Sequence, residues 1–383
     1  MPAALQDGRR SLDLPDEAAT ARLAQDIAAV LGPGDLVALA GGLGVGKTSF
    51  ARALIRSLAD DPTLEVPSPT FPIRVDHVLP RMTVAHADLY RIGAPGELEE
   101  IGLDEALGEG AVLVEWPELL APDMAGDRLD IRLDIAGTGR RAEVAAAGTW
   151  TDRLARTSAI RAFLQRSGWG DATRVPLAGD ASSRAYERLR RAGEAAILMN
   201  APARSEGPAL YGGRSYDAVA HRALDVRPFV AIDRALRKGG VRAPDIRAAD
   251  MERGLLILED LGGEGILDAA GLPVLQRYEA AIDLLAFMHG QHWPEAIPLP
   301  GGGSYRLPQY DRDALLIEVS LFPDWFGGQG GEPTFPERAR ADFLAAWSGE
   351  LAQVEASQTT WVMRDFHSPN LLWLPQRRGI ARI

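Results

Sequence analysis

The chain has 383 residues, of which 46% are hydrophobic and 25% are charged, and its formal net charge is −12. This length is typical of two domains, and the acidic balance argues against a protein that binds DNA or RNA directly. No apolar run approaches the roughly 18 residues of a membrane span, so we predict no membrane association. Cysteine is absent, which excludes disulfides and thiolate metal sites and favours the cytoplasm. Only the first ten residues look biased enough to be disordered.

The first 150 residues alternate predicted strands and helices. A buried strand at 35–40 leads through a glycine-rich turn into a helix at 49–58, and two further apolar strands and a hairpin follow at 82–87, 111–114 and 128–146. Strands interleaved with helices predict an α/β domain with a mainly parallel sheet. We place the domain boundary at 148–152.

The turn after the first strand fits the phosphate-binding motif G-x-x-x-x-G-K-[ST] between a strand and a helix. Its residues are Gly41, Gly42, Leu43, Gly44, Val45, Gly46, Lys47 and Thr48. We predict that they bind the nucleotide together with Ser49, which begins the following helix. Lysine occurs only at Lys47 and Lys238, so a lysine retained in this loop points to a need for a compact ammonium. We therefore predict ATP and Mg²⁺ as ligands, with Lys47 on the phosphates and Thr48 on the metal ion.

A phosphate-binding loop of this kind needs a carboxylate at the end of a nearby strand. Asp88 ends one apolar strand and Glu115 ends another. Each could instead be a solvated loop residue or a helix cap. The Asn-Lys-x-Asp motif that reads guanine is absent, which favours ATP over GTP.

Five short motifs occur in the order and spacing of the TsaE family, the ATPase component of bacterial tRNA threonylcarbamoyladenosine synthesis. They are the phosphate-binding loop, Ser68–Phe71, His86–Arg91, Glu97–Gly102 and Glu115–Glu118. The chain resembles that family over residues 11–148, and domain 1 is assigned to residues 1–148.

The resemblance implies roles for individual residues. Thr70 would lie near the γ-phosphate in a switch segment, Asp88 would be the functional aspartate, Glu115 would serve Mg²⁺ and water, and Trp116 would pack near the nucleotide. It also implies binding to a TsaB–TsaD complex, through which alone tRNA would be reached. The Ser68–Phe71 segment could alternatively be a simple turn, and Trp116 could be a core residue. We interpret His86 as structural.

The second half, residues 152–383, is predicted to be a separate kinase-like α+β domain. Strands are predicted at 175–177, 186–189, 195–199 and 255–258, helices at 153–167 and 274–289, and loops at 293–308 and 326–336. Near the end, Asp365 and Asn370 form a D-x-x-x-x-N pattern, in which the aspartate would accept a hydroxyl proton and the asparagine would bind metal.

This half resembles the aminoglycoside phosphotransferase family, and within it the kinases of N-acetylmuramate and N-acetylglucosamine that serve cell-wall recycling. The segments 364–372, 179–182 and 321–325 carry the resemblance, which implies an amino sugar substrate. Two features depart from a kinase. The strand at 195–199 lacks the usual lysine, and the second metal-binding aspartate is expected beyond residue 383. We therefore expect an incomplete domain without efficient sugar phosphorylation.

Two alternatives remain open for the whole chain. It could be a small-molecule or sugar kinase in its main activity, or a non-enzymatic module whose nucleotide sets the affinity for a partner. ATP turnover measured with and without TsaB–TsaD discriminates between them.

Overall fold

A computed structural model of the chain describes residues 9–94, 96–177, 184–209, 212–326, 335–356 and 360–383. The chain divides into two compact units, which we call unit 1 and unit 2. Unit 1 comprises residues 1–178 and 186–195, and unit 2 comprises residues 179–185 and 196–383. The domain bounds 1–148 and 152–383 stay a prediction.

Strands and helices alternate along unit 1. In chain order they are β1 (Arg9–Leu14), α1 (Glu17–Ala28), β2 (Leu36–Ala40), α2 (Lys47–Ala59), β3 (Arg74–Val78), β4 (Thr83–Asp88), α3 (Gly96–Ile101), α4 (Leu103–Glu109), β5 (Gly110–Glu115), β6 (Arg128–Ala136), β7 (Gly139–Ala146), α5 (Trp150–Arg166), β8 (Thr173–Pro176) and β9 (Ala185–Arg191). A short 3-10 turn, Pro117–Leu119, follows β5.

Seven of these strands form one sheet in the order β1-β7-β6-β2-β5-β4-β3. The four central strands, β6, β2, β5 and β4, are parallel, whereas β3 and the β6–β7 and β1–β7 pairs are antiparallel. The register places Leu39 and Asp88 beside Glu115. The predicted α/β domain with a mainly parallel sheet is confirmed, and the segments that follow β2, β4 and β5 meet at one edge.

Both faces of this sheet are covered because side chains alternate along each strand. On one face, Val37 and Leu39 pack in a buried cluster with Phe50 of α2 and Trp150 of α5. On the other face, Leu36 packs with residues of α4 and with partly buried residues of α3. The phosphate-binding loop therefore follows a strand that is buried on both sides.

A network of ion pairs connects α1, α5, β8 and β9 within unit 1. Arg161 Nη2 lies 2.7 Å from Asp26 Oδ1, Arg174 also pairs with Asp26, and Arg174 Nε lies 2.6 Å from Glu187 Oε2. The Arg174 side chain is 2% exposed. Burial alone lowers the pKa of Arg174, but Glu187 and Asp26 raise it above its ordinary value. We call Asp26, Arg161, Arg174 and Glu187 the ion network.

Unit 2 combines antiparallel strands with helices, as predicted for a kinase-like domain. Its elements are β10 (Glu194–Asn200), α6 (Tyr216–Val219), α7 (Arg227–Lys238), β11 (Ile246–Asp250), β12 (Leu255–Glu259), α8 (Leu275–His289), β13 (Ala296–Pro298), β14 (Ser304–Arg306), α9 (Arg312–Trp325) and α10 (Glu337–Ala356), with 3-10 turns at Ser368–Asn370 and Gly379–Arg382. Strand β12 pairs antiparallel with both β10 and β11. Helix α8 packs in a buried cluster with Trp373 and Ile383.

Three details differ from the sequence prediction or lie outside the described residues. Arg9 and Arg10, expected to be disordered, begin β1 and pair with β7. The expected loop at 293–308 contains β13 and β14, which pair across the Pro/Gly-rich turn between them. Most of the loop predicted at 326–336 lies outside the described residues. Across the described part of the chain, no helix combines the length and apolar character needed to cross a membrane.

Candidate functional site

The loop between β2 and α2 has a backbone that side chains would obstruct. Gly41 has a φ of 132°, and a Cβ atom there would come within 2.3 Å of the Leu133 carbonyl oxygen. Gly46 precedes α2 with a φ of 108°. Both angles belong to the region that favours glycine. The loop can therefore curl tightly at the start of the helix.

The first turn of α2 begins at Lys47, and its leading N–H groups have no acceptor within the helix. These N–H groups and the helix dipole make this end suitable for an anion. Because β2 is buried and Phe50 anchors the next turn in the core, the loop is held firmly on both sides. Phosphate is the ligand that this arrangement fits.

Lys47 is folded back onto its own loop. Its Nζ donates to the carbonyl oxygens of Gly41 and Gly42 at 2.8 and 3.0 Å. It also lies 3.6 Å from the centroid of the Trp116 ring. The residue is buried, and this burial lowers the pKa of the ammonium from its ordinary value while Glu115, Asp88 and Glu118 act in the opposite direction. Lys47 is thus a preplaced, desolvated cation.

Glu115 lies at the carboxyl end of β5 and is only 2% exposed. Thr48 donates its hydroxyl to Oε2 of Glu115 at 2.9 Å. The ring of His86, which is fully buried, places Nε2 3.1 Å from Oε1 of the same carboxylate. Each oxygen of Glu115 therefore has its own neighbour.

Asp88 ends the adjacent strand β4 and contacts the Ser68–Phe71 segment. Thr70 donates its hydroxyl to Oδ2 of Asp88 at 3.0 Å, and Ser68 Oγ lies 2.7 Å from Thr70 Oγ1. The backbone N–H of Tyr90 donates to Oδ1 of Asp88 at 2.9 Å. Asp88 and Glu115 are register partners on adjacent strands. Asp88 therefore connects Thr70 to the strand end that carries Glu115.

The structure therefore brings the predicted site residues of unit 1 together around one loop. Thr48 and Glu115 offer a hydroxyl and a carboxylate, the hard oxygen donors that suit Mg²⁺, beside a phosphate-binding loop. Trp116 stacks on the lysine, and its ring lies 4.9 Å from that of Tyr90. The residues fit a magnesium–nucleotide ligand.

Unit 2 holds the second predicted constellation. Asp365 is exposed, and the Nδ2 of Asn370 donates to the backbone oxygen of Asp365 at 3.0 Å, which closes the loop between them. Arg364 donates to the Ala220 carbonyl oxygen at 2.5 Å and pairs with Glu318. The segment at 179–182, which contributes to the resemblance, lies outside the described residues.

Two family models match the chain. The model described as threonylcarbamoyl adenosine biosynthesis protein TsaE matches residues 14–142. The model described as phosphotransferase enzyme family matches residues 173–380. A TsaE protein of Rickettsia bellii is 36% identical over 128 residues, which are 33% of this chain and 88% of the relative. The chain belongs to the TsaE and phosphotransferase enzyme families.

The relatives of the phosphotransferase region, residues 173–380, are longer than the part that the chain matches. An N-acetylmuramate/N-acetylglucosamine kinase of Caulobacter vibrioides is 37% identical over 239 residues, which are 60% of this chain. The chain spans 65% of the length of that kinase. A crystal structure of Bacillus subtilis YdiB is 26% identical, with a TM-score of 0.34, and covers 41% of this chain and 99% of its own. The family models and the sequence relatives confirm the resemblance to both families.

Two residues of the TsaE region, residues 14–142, contribute to the site although the sequence did not identify them. Arg140 of β7 donates from Nε to the Val45 carbonyl oxygen at 2.8 Å and so supports the phosphate-binding loop. Its link to Val45 spans 95 positions and leaves no local signal. The position of His86 could have been inferred, since it lies two residues before Asp88 and hence on the same face of β4.

Proposed function

We propose that the TsaE region is a Mg²⁺-dependent ATPase that supports threonylcarbamoyladenosine modification of tRNA in the cytoplasm. The observation that carries the proposal is the bond from Thr48 to Glu115 at the foot of a phosphate-binding loop. It joins a hydroxyl from the start of α2 to a carboxylate from the end of β5. These two groups are what a P-loop ATPase uses beside its nucleotide.

Each residue has a distinct task in this proposal. The first-turn N–H groups of α2 bind phosphate oxygens, and Lys47 exchanges its two loop carbonyls for the β- and γ-phosphates. Thr48 and Glu115 would hold a Mg²⁺ ion, which would supply positive charge to offset the charge that develops on the phosphates. Glu115 orients the hydroxyl of Thr48, and Asp88 orients the hydroxyl of Thr70. The two carboxylates also orient the attacking water. Trp116 holds the Lys47 side chain in place and excludes water from one side of the nucleotide.

We propose that a TsaB–TsaD complex is the partner and that tRNA is reached through it. The net charge of −12 supports this division of labour, because direct tRNA binding requires a basic surface. Phe71 and Tyr90 are exposed, and they lie next to Thr70 and two residues after its partner Asp88. They support a contact surface beside the nucleotide. The test is ATP turnover measured with and without TsaB–TsaD.

Lys47→Ala is the first variant to compare. It removes a desolvated charge from the phosphates, so ATP binding should weaken by about 2 kcal/mol and turnover should be lost. Lys238→Ala is the matched control, since Lys238 is the other lysine of the chain and ends α7 in unit 2. Calorimetry and phosphate release measure the two effects. Equal behaviour of the two variants would refute the assignment.

We also propose that the phosphotransferase region carries a sugar-kinase type loop. Asp365 would accept the proton of an amino sugar hydroxyl, and Asn370 would bind metal. Among the described residues, no three His, Cys, Asp or Glu side chains are grouped closely enough to hold a metal ion. Asn370 would then supply a single uncharged ligand to that metal ion, and Mg²⁺ is usually held by carboxylates, so we propose that this loop phosphorylates sugar inefficiently.

A further inference from the structure

We propose that His86 is a positioning residue that orients the Glu115 carboxylate for ATP hydrolysis. The inference rests on the proposed ATPase function and adds a residue to it. His86 lies on β4, its side chain is fully buried, and its Nε2 is 3.1 Å from Oε1 of Glu115. A fully buried histidine is thus in contact with the carboxylate on which the chemistry depends.

The bond fixes which way the carboxylate faces. Oε2 of Glu115 accepts from Thr48, and Oε1 faces His86. In a P-loop ATPase the hydroxyl corresponding to Thr48 also binds the metal ion through its oxygen, so its position depends on the ligand. The contact of His86 with Oε1 does not involve the ligand. Without His86, Oε1 would lose this contact, and the carboxylate could rotate more freely about its last bond.

The contact also defines the tautomer of the ring. A carboxylate accepts hydrogen bonds, so Nε2 carries the proton and donates it to Oε1. The other ring nitrogen, Nδ1, is buried and has no hydrogen-bond partner among the described residues. An unpaired buried polar atom is unfavourable, by about 1–3 kcal/mol. An apolar residue would avoid that penalty here, and the benefit that offsets it is the bond to Glu115.

The surroundings hold the ring in this orientation. His86 pairs in register with Leu113 of β5, and Asp88 pairs with Glu115. Donor and acceptor therefore lie on two adjacent strands, of which β5 is fully buried and β4 is buried from its second residue onward. The ring of His77 on β3 lies beside that of His86, with 6.4 Å between centroids. Neighbours of this kind, which orient the groups that serve a metal site, affect rate more than fold.

The experiment compares His86→Leu with His86→Gln in the full chain, with TsaB–TsaD present. Leucine fills similar space without a donor, whereas the glutamine amide can donate from near the position of Nε2. We expect His86→Leu to lower kcat by about 10-fold to 100-fold while the Kd for ATP changes by less than about threefold. His86→Gln should recover kcat to within about threefold of wild type. His77→Leu, which changes the adjacent histidine, should leave kcat unchanged.

A spectroscopic measurement addresses the bond without turnover. Histidine labelled with ¹⁵N reports the tautomer of each ring, and His86→Gln identifies the His86 signals among the six histidines. We expect the Nε2–H tautomer, with an Nε2 signal that moves in Glu115→Gln. An Nδ1–H tautomer, a signal that Glu115→Gln does not move, or wild-type kcat in His86→Leu would overturn the proposal. If Lys47→Ala, Glu115→Gln and His86→Leu all kept the ATP turnover of wild type, the ATPase function itself would be refuted.

Discussion

Arg140 reaches the phosphate-binding loop from a strand 95 positions later in the chain. Its Nε donates to the carbonyl oxygen of Val45 and so holds that carbonyl toward the guanidinium, and its Nη1 donates to the Gly139 carbonyl oxygen. A carbonyl facing the phosphates would repel them. The guanidinium therefore helps to keep the loop ready for an anion.

We predict that Arg140→Ala weakens ATP binding by about 1–2 kcal/mol, because one charge-assisted hydrogen bond to the loop is lost. Arg141→Ala is the control, since Arg141 is the next residue and pairs with Asp13 at the surface. Calorimetric titration with ATP and Mg²⁺ measures both. Equal affinities for the two variants would contradict a role for Arg140 in shaping the loop.

Asp233 of α7 is a buried carboxyl group whose two oxygens have no hydrogen-bond partner among the described residues. Burial raises its pKa from 3.8 to about 6, and Asp245 adds to the rise while Arg237 opposes it. The unfolded chain loses this proton near pH 4 and the folded chain loses it near pH 6. Stability should therefore fall as the pH rises through this window, because the folded state binds more protons there.

Asp233→Asn removes the ionisation and should flatten that slope. Relative to wild type, we expect the variant to gain up to about 3 kcal/mol of unfolding free energy between pH 4 and pH 7. Urea unfolding at the two pH values measures the gain. Asp283→Asn, at an exposed position on α8, should show no comparable change. A pH slope that persists in Asp233→Asn would assign the effect to another group.

At the scale of elements, α5 belongs to the core of unit 1 although it lies next to the boundary expected at 148–152. Trp150 has no exposed surface and packs with the buried residues of α1 and α2. Arg153 donates to both carboxylate oxygens of Asp35, at 2.6 and 2.7 Å. The helix therefore completes one face of the sheet.

We predict that Trp150→Ala destabilises unit 1 by about 3–5 kcal/mol, the usual result of emptying a buried aromatic site. Trp347→Ala on α10 is the control, because its side chain is 43% exposed. Denaturant unfolding followed by circular dichroism measures both variants. A small effect of Trp150→Ala would instead support the boundary predicted at 148–152 and a domain at 1–148 that folds independently.

Local pattern identified most elements that build the site. The apolar runs before Asp88 and Glu115 and the glycines around Lys47 were sufficient to predict β4, β5 and the turn into α2. Strand β1 and the β13–β14 hairpin were missed because they are short and polar or proline-rich, and their pairing partners are not evident from local sequence. The contacts of His86 and Arg140 depend on sheet order and register, which the sequence alone does not define. The roles of the site residues stay predictions.

For the whole molecule, the two predicted sites, around Lys47 and around Asp365, should use ATP independently of each other. We expect the chain's ATP turnover to depend on Lys47 and to be unchanged in Asp365→Asn, because the role proposed for Asp365 is confined to a sugar hydroxyl. The chain is incubated with ATP and N-acetylmuramate. Free phosphate then measures ATP hydrolysis, and N-acetylmuramate 1-phosphate measures sugar phosphorylation. Abundant 1-phosphate that is lost in Asp365→Asn and retained in Lys47→Ala would make sugar phosphorylation the main activity.

The ion network carries a consequence for how this sequence can change over generations. Asp26 belongs to the segment matched by the TsaE model, and Arg174 and Glu187 belong to the segment matched by the phosphotransferase model. Arg174 is buried between these two acids, so losing either one leaves a charge without compensation. We therefore expect the two segments to be inherited together. In related chains with the same fusion, positions 26, 161, 174 and 187 should vary together, whereas stand-alone TsaE proteins should be free to replace the residue corresponding to Asp26.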